Sequence, residues 1–523
     1  MPRSPFSQRL HQLFARQLAS QEGFDPSRRK FIQNTTLAAA ALASGPLRPL
    51  SAMLDSNTLD KVAIVGAGAA GLAAAYQLHR HGIPFKLFEG SNRIGGRILT
   101  DFSTFAGQNQ YGELGGEMIN TDHHSIRAFA KQLGVEVEDF PDADQTNLRD
   151  TFYFNGRIYS EAEIVAASEP LLRAVVRDNS LIYGNAEQLP ITWKCPYAAA
   201  AAKFDRMSLA EYLDSIPELE TWFKEIVKIG YESDSGVPAD SQSVLLLFSY
   251  FTGTSPEEFR LFGSSDETSR IKGGNSRLMN AAFEAIGGHS AVAFDHQLLR
   301  VSEKGNKIEL TFENAGRAKK FSFAQVILAA PFTTLRQVEG FADSALAIDP
   351  RVMRAVRELQ YGKNSKMLVG YNRRVWREAP SQATGMAISD LFALNTWEAS
   401  RMESGTEGIL TSYSPSQRAV DLGLGHLAQV TGDIEKIFPG TLAAFNGRVA
   451  VKNWPANKFI GGSYSSPSMG QFTTIVGCAD EAQLGGRLIL AGEQTAPYYF
   501  GYMEGAVESG VRAAEQIRKS RHS

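Results

Sequence analysis

Cysteine is nearly missing from this chain: two occur in 523 residues, Cys195 and Cys478, far apart and in neither a CxxC nor a Cys/His pattern. That excludes a disulfide framework and offers no zinc site, so no metal is expected. Sequence separation alone leaves one bridge between the two thiols open. A charge excess is missing too, since 53 Lys+Arg against 56 Asp+Glu leave a net charge of -3. Nucleic acid or an anionic membrane surface would call for a basic stripe, and a small molecule is the better default partner. No apolar run approaches the roughly 20 residues of a membrane-spanning helix, so no stable membrane insertion is expected. The length suits one large domain or two to three ordinary ones.

The N-terminus has the order of a twin-arginine export signal. Ser27-Arg28-Arg29-Lys30-Phe31-Ile32 is followed by a mildly apolar run from Leu37 to Ala43 and then Ser44-Gly45-Pro46. The bland alternative is a basic helix start leading into an alanine-rich helix. Residues 1–50 are taken as the leader, which implies a periplasmic or secreted bacterial protein handled by the twin-arginine machinery. That route suits a protein that loads its cofactor before translocation.

Past the leader, Val62-Ala63-Ile64-Val65 is a short apolar run ending on glycine, as in a strand buried on both faces. Gly66-Ala67-Gly68-Ala69-Ala70-Gly71 follows, then a helix from Leu72 to Arg80, a second strand at Phe85-Lys86-Leu87-Phe88, and Glu89. A lone GxGxxG means little, but here it sits in a complete β-α-β unit of about 30 residues. Gly66 suits a tight turn, Gly68 the approach of a pyrophosphate and Gly71 close packing of helix on strand. The helix start at Ala69 and Ala70 offers N–H groups and a positive dipole end to phosphates. Glu89 is placed for a ribose 2′-hydroxyl. Arg93 and Gly95-Gly96-Arg97 add a second turn with a guanidinium, which can clamp a pyrophosphate or lie near a flavin.

Residues 126 to 270 are richer in charge and have helical apolar spacing, as an inserted, mainly helical region. Strand-like stretches at Leu298 to Val301, Ile308 to Phe312 and Val326 to Ala330 are expected to return the chain to the first sheet. A second excursion contains the apolar strand Met367-Leu368-Val369, and Arg487 to Ala491 with Gly505 to Ile517 close the first domain. The expected fold is α/β: a Rossmann-type FAD-binding domain from 60–125, 271–342 and 451–517, with an inserted α+β substrate domain from 126–270 and 343–450.

These elements resemble the flavin-containing amine oxidase superfamily, which includes monoamine oxidases, polyamine oxidases and L-amino-acid oxidases. The resemblance runs from about 60 to 517 and rests on the β-α-β unit with Glu89, Gly95-Gly96-Arg97, Glu113-Leu114-Gly115-Gly116, the return segment from Gly273-Gly274 to Pro331, and Ala491-Gly492-Glu493 with Gly501-Tyr502-Met503-Glu504-Gly505-Ala506. It implies FAD as cofactor, with Gly115, Gly116, Glu117 and Met118 running past the flavin ring and Leu298 touching the adenine. Gly492 and Glu493 then hold the ribityl and phosphate side, while Tyr502, Met503 and Ala506 begin the helix beneath the ring. Lys366 resembles the family lysine that holds a water near the flavin; a solvent-facing strand-edge lysine is its bland alternative. Tyr464 and Tyr502 match the aromatic pair that flanks the amine, with Trp454 preceding the first. Simple packing is the bland alternative for each tyrosine.

Two departures bear on substrate and cofactor. Ser463 stands where some monoamine oxidases attach FAD through cysteine, so non-covalent FAD is expected. Met118 stands where several L-amino-acid oxidases carry a carboxylate-clamping arginine, with Arg277, Arg336 and Arg373 left unassigned. Glu113 resembles an acid lining the tunnel of some polyamine oxidases, and bonding cofactor or backbone is an equal alternative. The resemblance implies oxidative deamination of a primary amine or L-amino acid by O2, giving an aldehyde or 2-oxo acid, ammonia and H2O2. Rival readings are an L-amino-acid oxidase specifically, a flavin desaturase or dehydrogenase acting on C–C bonds, and an exported FAD-binding protein without turnover. Homodimerisation is left open.

Overall fold

The computed structural model describes residues 61–140, 148–184, 190–249 and 267–521; the expected leader, 1–50, lies outside them. Its centre is a five-stranded parallel sheet in which β1 (Val62–Val65) lies between β2 (Phe85–Phe88) and β4 (Gln325–Leu328). β3 (Val292–Ala293) adds beyond β2, and β5 (Leu488–Leu490) beyond β4. All four residues of β1 are buried, because both faces are covered. Val62 and Ile64 point into a core shared with α1 (Ala69–Arg80) and α2 (Met503–Ser520). Ala63 and Val65 point the other way, toward Val301, Leu310 and Phe312. The alanines of α1 let α2 approach closely: a Cβ on Gly510 would stand 2.2 Å from the Ala70 carbonyl oxygen.

Over this frame lies a seven-stranded mixed sheet in the order 445–453, 364–371, 408–415, 395–398, 383–389, 149–154 and 157–159. Every residue of Asn364–Tyr371 is buried. Helices Glu161–Tyr183, Ala198–Asp205, Leu209–Asp214 and Thr221–Ser235 build a further core together with Phe152, Phe154 and Ile388 of that sheet. Reciprocal capping boxes, Ser160 with Glu163 and Ser208 with Glu211, set the starts of two of these helices.

Several expectations need correction. Leu298 to Val301 and Ile308 to Phe312 do not enter the parallel sheet; with Arg317–Phe323 they form an antiparallel three-stranded meander that covers it, and Gln325–Leu328 makes the return. Residues 126–270 are not only helical, since Arg149–Phe154 and Arg157–Tyr159 complete the mixed sheet. Helix His124–Gln132, cut by the expected boundary at 126, packs Ile126, Phe129 and Ala130 into the α1/α2 core. Helix Pro350–Glu358, expected in the substrate domain, packs Val352, Met353 and Val356 beneath the parallel sheet. Each assignment is decided by which distant apolar face a segment covers, and local periodicity carries no record of that.

Candidate active site

The glycine loop is shaped by contacts that only hydrogen side chains permit. Gly66 has φ +103°, and a Cβ there would lie 2.7 Å from the Ala329 carbonyl oxygen. A Cβ on Gly71 would lie 1.8 Å from the Gly66 carbonyl oxygen, so the first turn of α1 is pressed onto its own loop. Gly68 is different: a Cβ would meet nothing nearer than the Gly96 Cα at 3.9 Å. No side chain caps α1, so its first N–H groups remain for an anion. Glu89 fixes the loop, accepting from the Ala67 N–H at 2.7 Å through one oxygen and from the Ser91 N–H and hydroxyl through the other.

Arg93 clamps the second turn, its guanidinium donating to the Ile94 and Gly96 carbonyls, and it also lines the cavity described below. Arg97 reaches across the molecule to Glu493 at 2.6 Å and to the Ser463 carbonyl at 3.0 Å. Glu493 also accepts from Ser465 and from the Gly501 N–H. Burial alone would raise its pKa, but Arg97 and these donors outweigh burial and hold it below the usual carboxylate range.

These elements line one cavity. At one end stand Gly66, Gly68, Ala69, Ala70 and Glu89, with Leu298 beside them. Arg97, Gly116, Gly492 and Glu493 continue the wall, and Tyr464, Tyr502, Met503 and Ala506 complete the other end. That end too is an uncapped helix start, with Tyr502 as the residue before α2. A Cβ on Gly501 would touch the Tyr464 ring at 3.3 Å, which brings the two tyrosines together. The Tyr464 hydroxyl donates to the Asp234 carbonyl and lies 3.3 Å from the Tyr413 hydroxyl. His123 packs edge-on against Tyr502 with centroids 5.1 Å apart.

Other residues expected at the site stand behind this wall. Gly71 and Gly115 serve packing; a Cβ on Gly115 would lie 2.0 Å from the Arg97 carbonyl oxygen. Lys366 is buried, and its ammonium donates to the Glu113 and Gly115 carbonyls at 3.0 Å and to Glu117 at 2.8 Å. Three bonds use three donors, so Lys366 positions the Glu113–Glu117 segment rather than lying at a solvent-facing edge. The Glu117 side chain accepts from Trp397 as well. Glu113 bonds Thr100 and the Asn275 N–H, its backbone alternative rather than a tunnel wall. Burial raises its pKa to about 7. Met118 packs with Trp397 and Tyr413, and Trp454 donates from its ring to the Leu114 carbonyl at 2.8 Å.

Tyr413, Trp397, His123 and Asn275 went unnoticed in the sequence. Asn275 follows the Gly273-Gly274 pair and donates to the Gly116 and Glu117 carbonyls, a role its place in that turn could have suggested. Tyr413 faces Lys366 only through strand pairing. The cysteines are both free thiols, so the bridge left open by the sequence does not form; Cys478 is buried and Cys195 half-buried. Ser463 bonds Asn364 through its hydroxyl and is not on the cavity wall.

A parallel sheet with a glycine-rich turn at the mouth of its first strand, roofed by a second mixed sheet, with an aromatic pair on the cavity wall, defines a dinucleotide-dependent enzyme of two layers. The family model for flavin-containing amine oxidoreductases matches residues 69–518. An L-amino-acid oxidase of Siganus canaliculatus is 26% identical over 486 residues, 88% of this chain and 86% of that protein. A nicotine dehydrogenase of Pseudomonas putida is 24% identical over 514 residues, covering 95% and 98%. Putrescine oxidase bound to putrescine superposes with a TM-score of 0.70 at 18% identity, and cyclohexylamine oxidase from Brevibacterium oxydans with 0.72 at 18%. These superpositions cover 88% of this chain, and the putrescine oxidase chain is 99% covered. The chain belongs to the flavin-containing amine oxidoreductase family. It is a flavin-dependent oxidoreductase with the amine-oxidase-like α/β fold.

Proposed function

We propose that the chain binds FAD non-covalently and oxidises the carbon–nitrogen bond of a primary amine or L-amino acid, with O2 as the electron acceptor. The observation that carries this reading is the single cavity joining two uncapped helix starts, at Ala69 and Met503, by way of Glu89, Arg97 and the tyrosine pair. The α1 start suits the pyrophosphate, Glu89 a ribose hydroxyl, and the α2 start the negative charge a flavin gains. Held there, FAD would supply the two-electron chemistry: acceptance of a hydride equivalent from the carbon bearing nitrogen and transfer of two electrons to O2 with two protons to give H2O2, leaving an imine for water to hydrolyse.

Tyr464 and Tyr502 face the substrate and exclude water, and the Asp234 carbonyl and Tyr413 hydroxyl hold Tyr464 in place. Lys366 acts through the segment it holds. No cysteine lines the cavity, in keeping with a flavin that is not covalently attached. The neutral amine is the reactive form, so the rate of flavin reduction rises with pH until another group titrates.

Anaerobic mixing of yellow protein with amines and L-amino acids tests the reading: loss of flavin absorbance, then peroxide on readmitting air, is expected. No bleaching by any of them refutes deamination. Bleaching without peroxide refutes O2 as acceptor, a point to check because one relative is named a dehydrogenase. Export through the twin-arginine route rests on Arg28 and Arg29. It is tested by replacing both with lysine and assaying periplasmic flavoprotein.

A further inference from the structure

Met118 stands where several L-amino-acid oxidases carry a carboxylate-clamping arginine, and Arg277, Arg336 and Arg373 do not replace it. Arg277 is exposed, Arg336 donates to the Phe332 and Leu359 carbonyls, and Arg373 pairs with Glu378 at the surface. A guanidinium nevertheless reaches Met118 from another element. Arg401 follows strand Asn395–Glu398, and its Nη2 lies 3.1 Å from the Met118 sulfur. Its plane covers Phe140 with 3.8 Å between guanidinium carbon and ring centroid. Met118 packs with Trp397 and Tyr413, and the Tyr413 hydroxyl approaches that of Tyr464 on the cavity wall.

Arg401 is half-buried and takes part in no ion pair among the described residues. A thioether is a weak acceptor, so most of the five guanidinium donors are left for an anion. Withdrawing an arginine from water without an anionic partner is costly, and a planar fork matches a carboxylate. Of the nearby carboxylates, Glu117 pairs with Lys366, Glu403 with Arg270, and Glu398 with Arg374 and Arg377, while buried Glu267 attracts Arg401 from beyond ion-pair distance. The loop bearing Arg401 is braced on both sides. Arg270 donates to the Ala399 carbonyl, Arg374 donates to the Glu403 carbonyl, and the Ser400 hydroxyl accepts from the Ile409 N–H. Such bracing presents the guanidinium in one orientation.

We infer that Arg401 binds the carboxylate of the substrate, which makes the substrate an amino acid rather than a simple amine. The inference rests on the deamination reading for the reaction, but the anion site is separately measurable. Wild-type and Arg401→Met holoenzymes are compared with matched pairs that differ only in the carboxylate: L-leucine and 3-methylbutylamine, L-phenylalanine and 2-phenylethylamine, L-lysine and 1,5-diaminopentane. The wild type is expected to favour the acids, and the variant to lower the acid-to-amine ratio of reduction efficiency about 100-fold, as for truncating one partner of a desolvated charge pair. Arg401→Lys, which keeps charge without the fork, should fall between. Benzoate should perturb the flavin spectrum of the wild type and not of Arg401→Met. A wild type without acid preference, or a flavin-replete variant that keeps its preference, overturns the clamp. Reduction by no compound in either protein, with the benzoate difference present, refutes deamination while the clamp stands; absence of both refutes both.

Discussion

Removing the charge of Glu117 isolates the energetics of the ion pair beneath the cavity. The Lys366 and Glu117 side chains are 2% and 3% exposed, and their nitrogen and oxygen lie 2.8 Å apart. In Glu117→Gln the ammonium keeps two carbonyl acceptors at 3.0 Å and the Trp397 ring at 5.2 Å, but loses its only bonded anion. Breaking a buried pair from one side costs about 3–5 kcal/mol; the two retained carbonyl bonds place this case near 3 kcal/mol. Lys366→Met should cost a similar amount, since Glu117 keeps only the Trp397 ring N–H at 3.2 Å to each oxygen. The double variant Lys366→Met/Glu117→Leu buries neither charge and should recover at least half of the single-variant loss. Guanidinium unfolding of the holoenzyme, followed by far-UV dichroism and flavin release, measures all three. A Glu117→Gln loss below about 1 kcal/mol, or a double variant as unstable as the sum of the singles, would refute the account of Lys366 as a paired, buried cation.

Three further outcomes follow from the geometry. Gly71→Val should yield colourless protein, because a Cβ 1.8 Å from the Gly66 carbonyl oxygen displaces the loop; normal flavin content in purified variant would contradict this. Burial raises Glu113 from 4.5 to about 7, so the folded state binds the extra proton and its contribution is present below pH 4.5 and lost as pH rises toward 7. The loss is of order 3 kcal/mol, and Glu113→Gln should flatten that part of the stability–pH curve; an unchanged slope would count against it. Because Cys195 and Cys478 are free, dithiothreitol should leave the unfolding midpoint where it was, whereas a downward shift would reveal a bridge.

Much of the cofactor end was legible before folding was considered. Gly66, Gly68, Gly71 and Glu89 work within one β-α-β unit, where turn geometry and helix polarity are written locally. The aromatic pair was also legible, through motif spacing at Tyr464 and Tyr502. The region behind the wall was not. Lys366 stands in an apolar strand, a placement consistent with water-holding, surface and structural roles alike; the bonds to Glu113, Gly115 and Glu117 span about 250 residues, rule out the surface role and add the structural one. Glu113 was ambiguous for the same reason until Thr100 and Asn275 were seen to take its oxygens.

By itself, then, the sequence determined a dinucleotide loop, the acid that ends its second strand, the closing helix and the class of redox chemistry, because each depends on residues close in the chain or on glycine's freedom from side-chain contact. Tertiary structure decided the partners of the charges: Arg97 with Glu493, 396 positions away, Lys366 with Glu117, and Arg401 against Met118, 283 positions away. A side chain's donors and acceptors are recorded in its type, but the groups that meet them are chosen by which distant surfaces pack together, and no local pattern carries that choice.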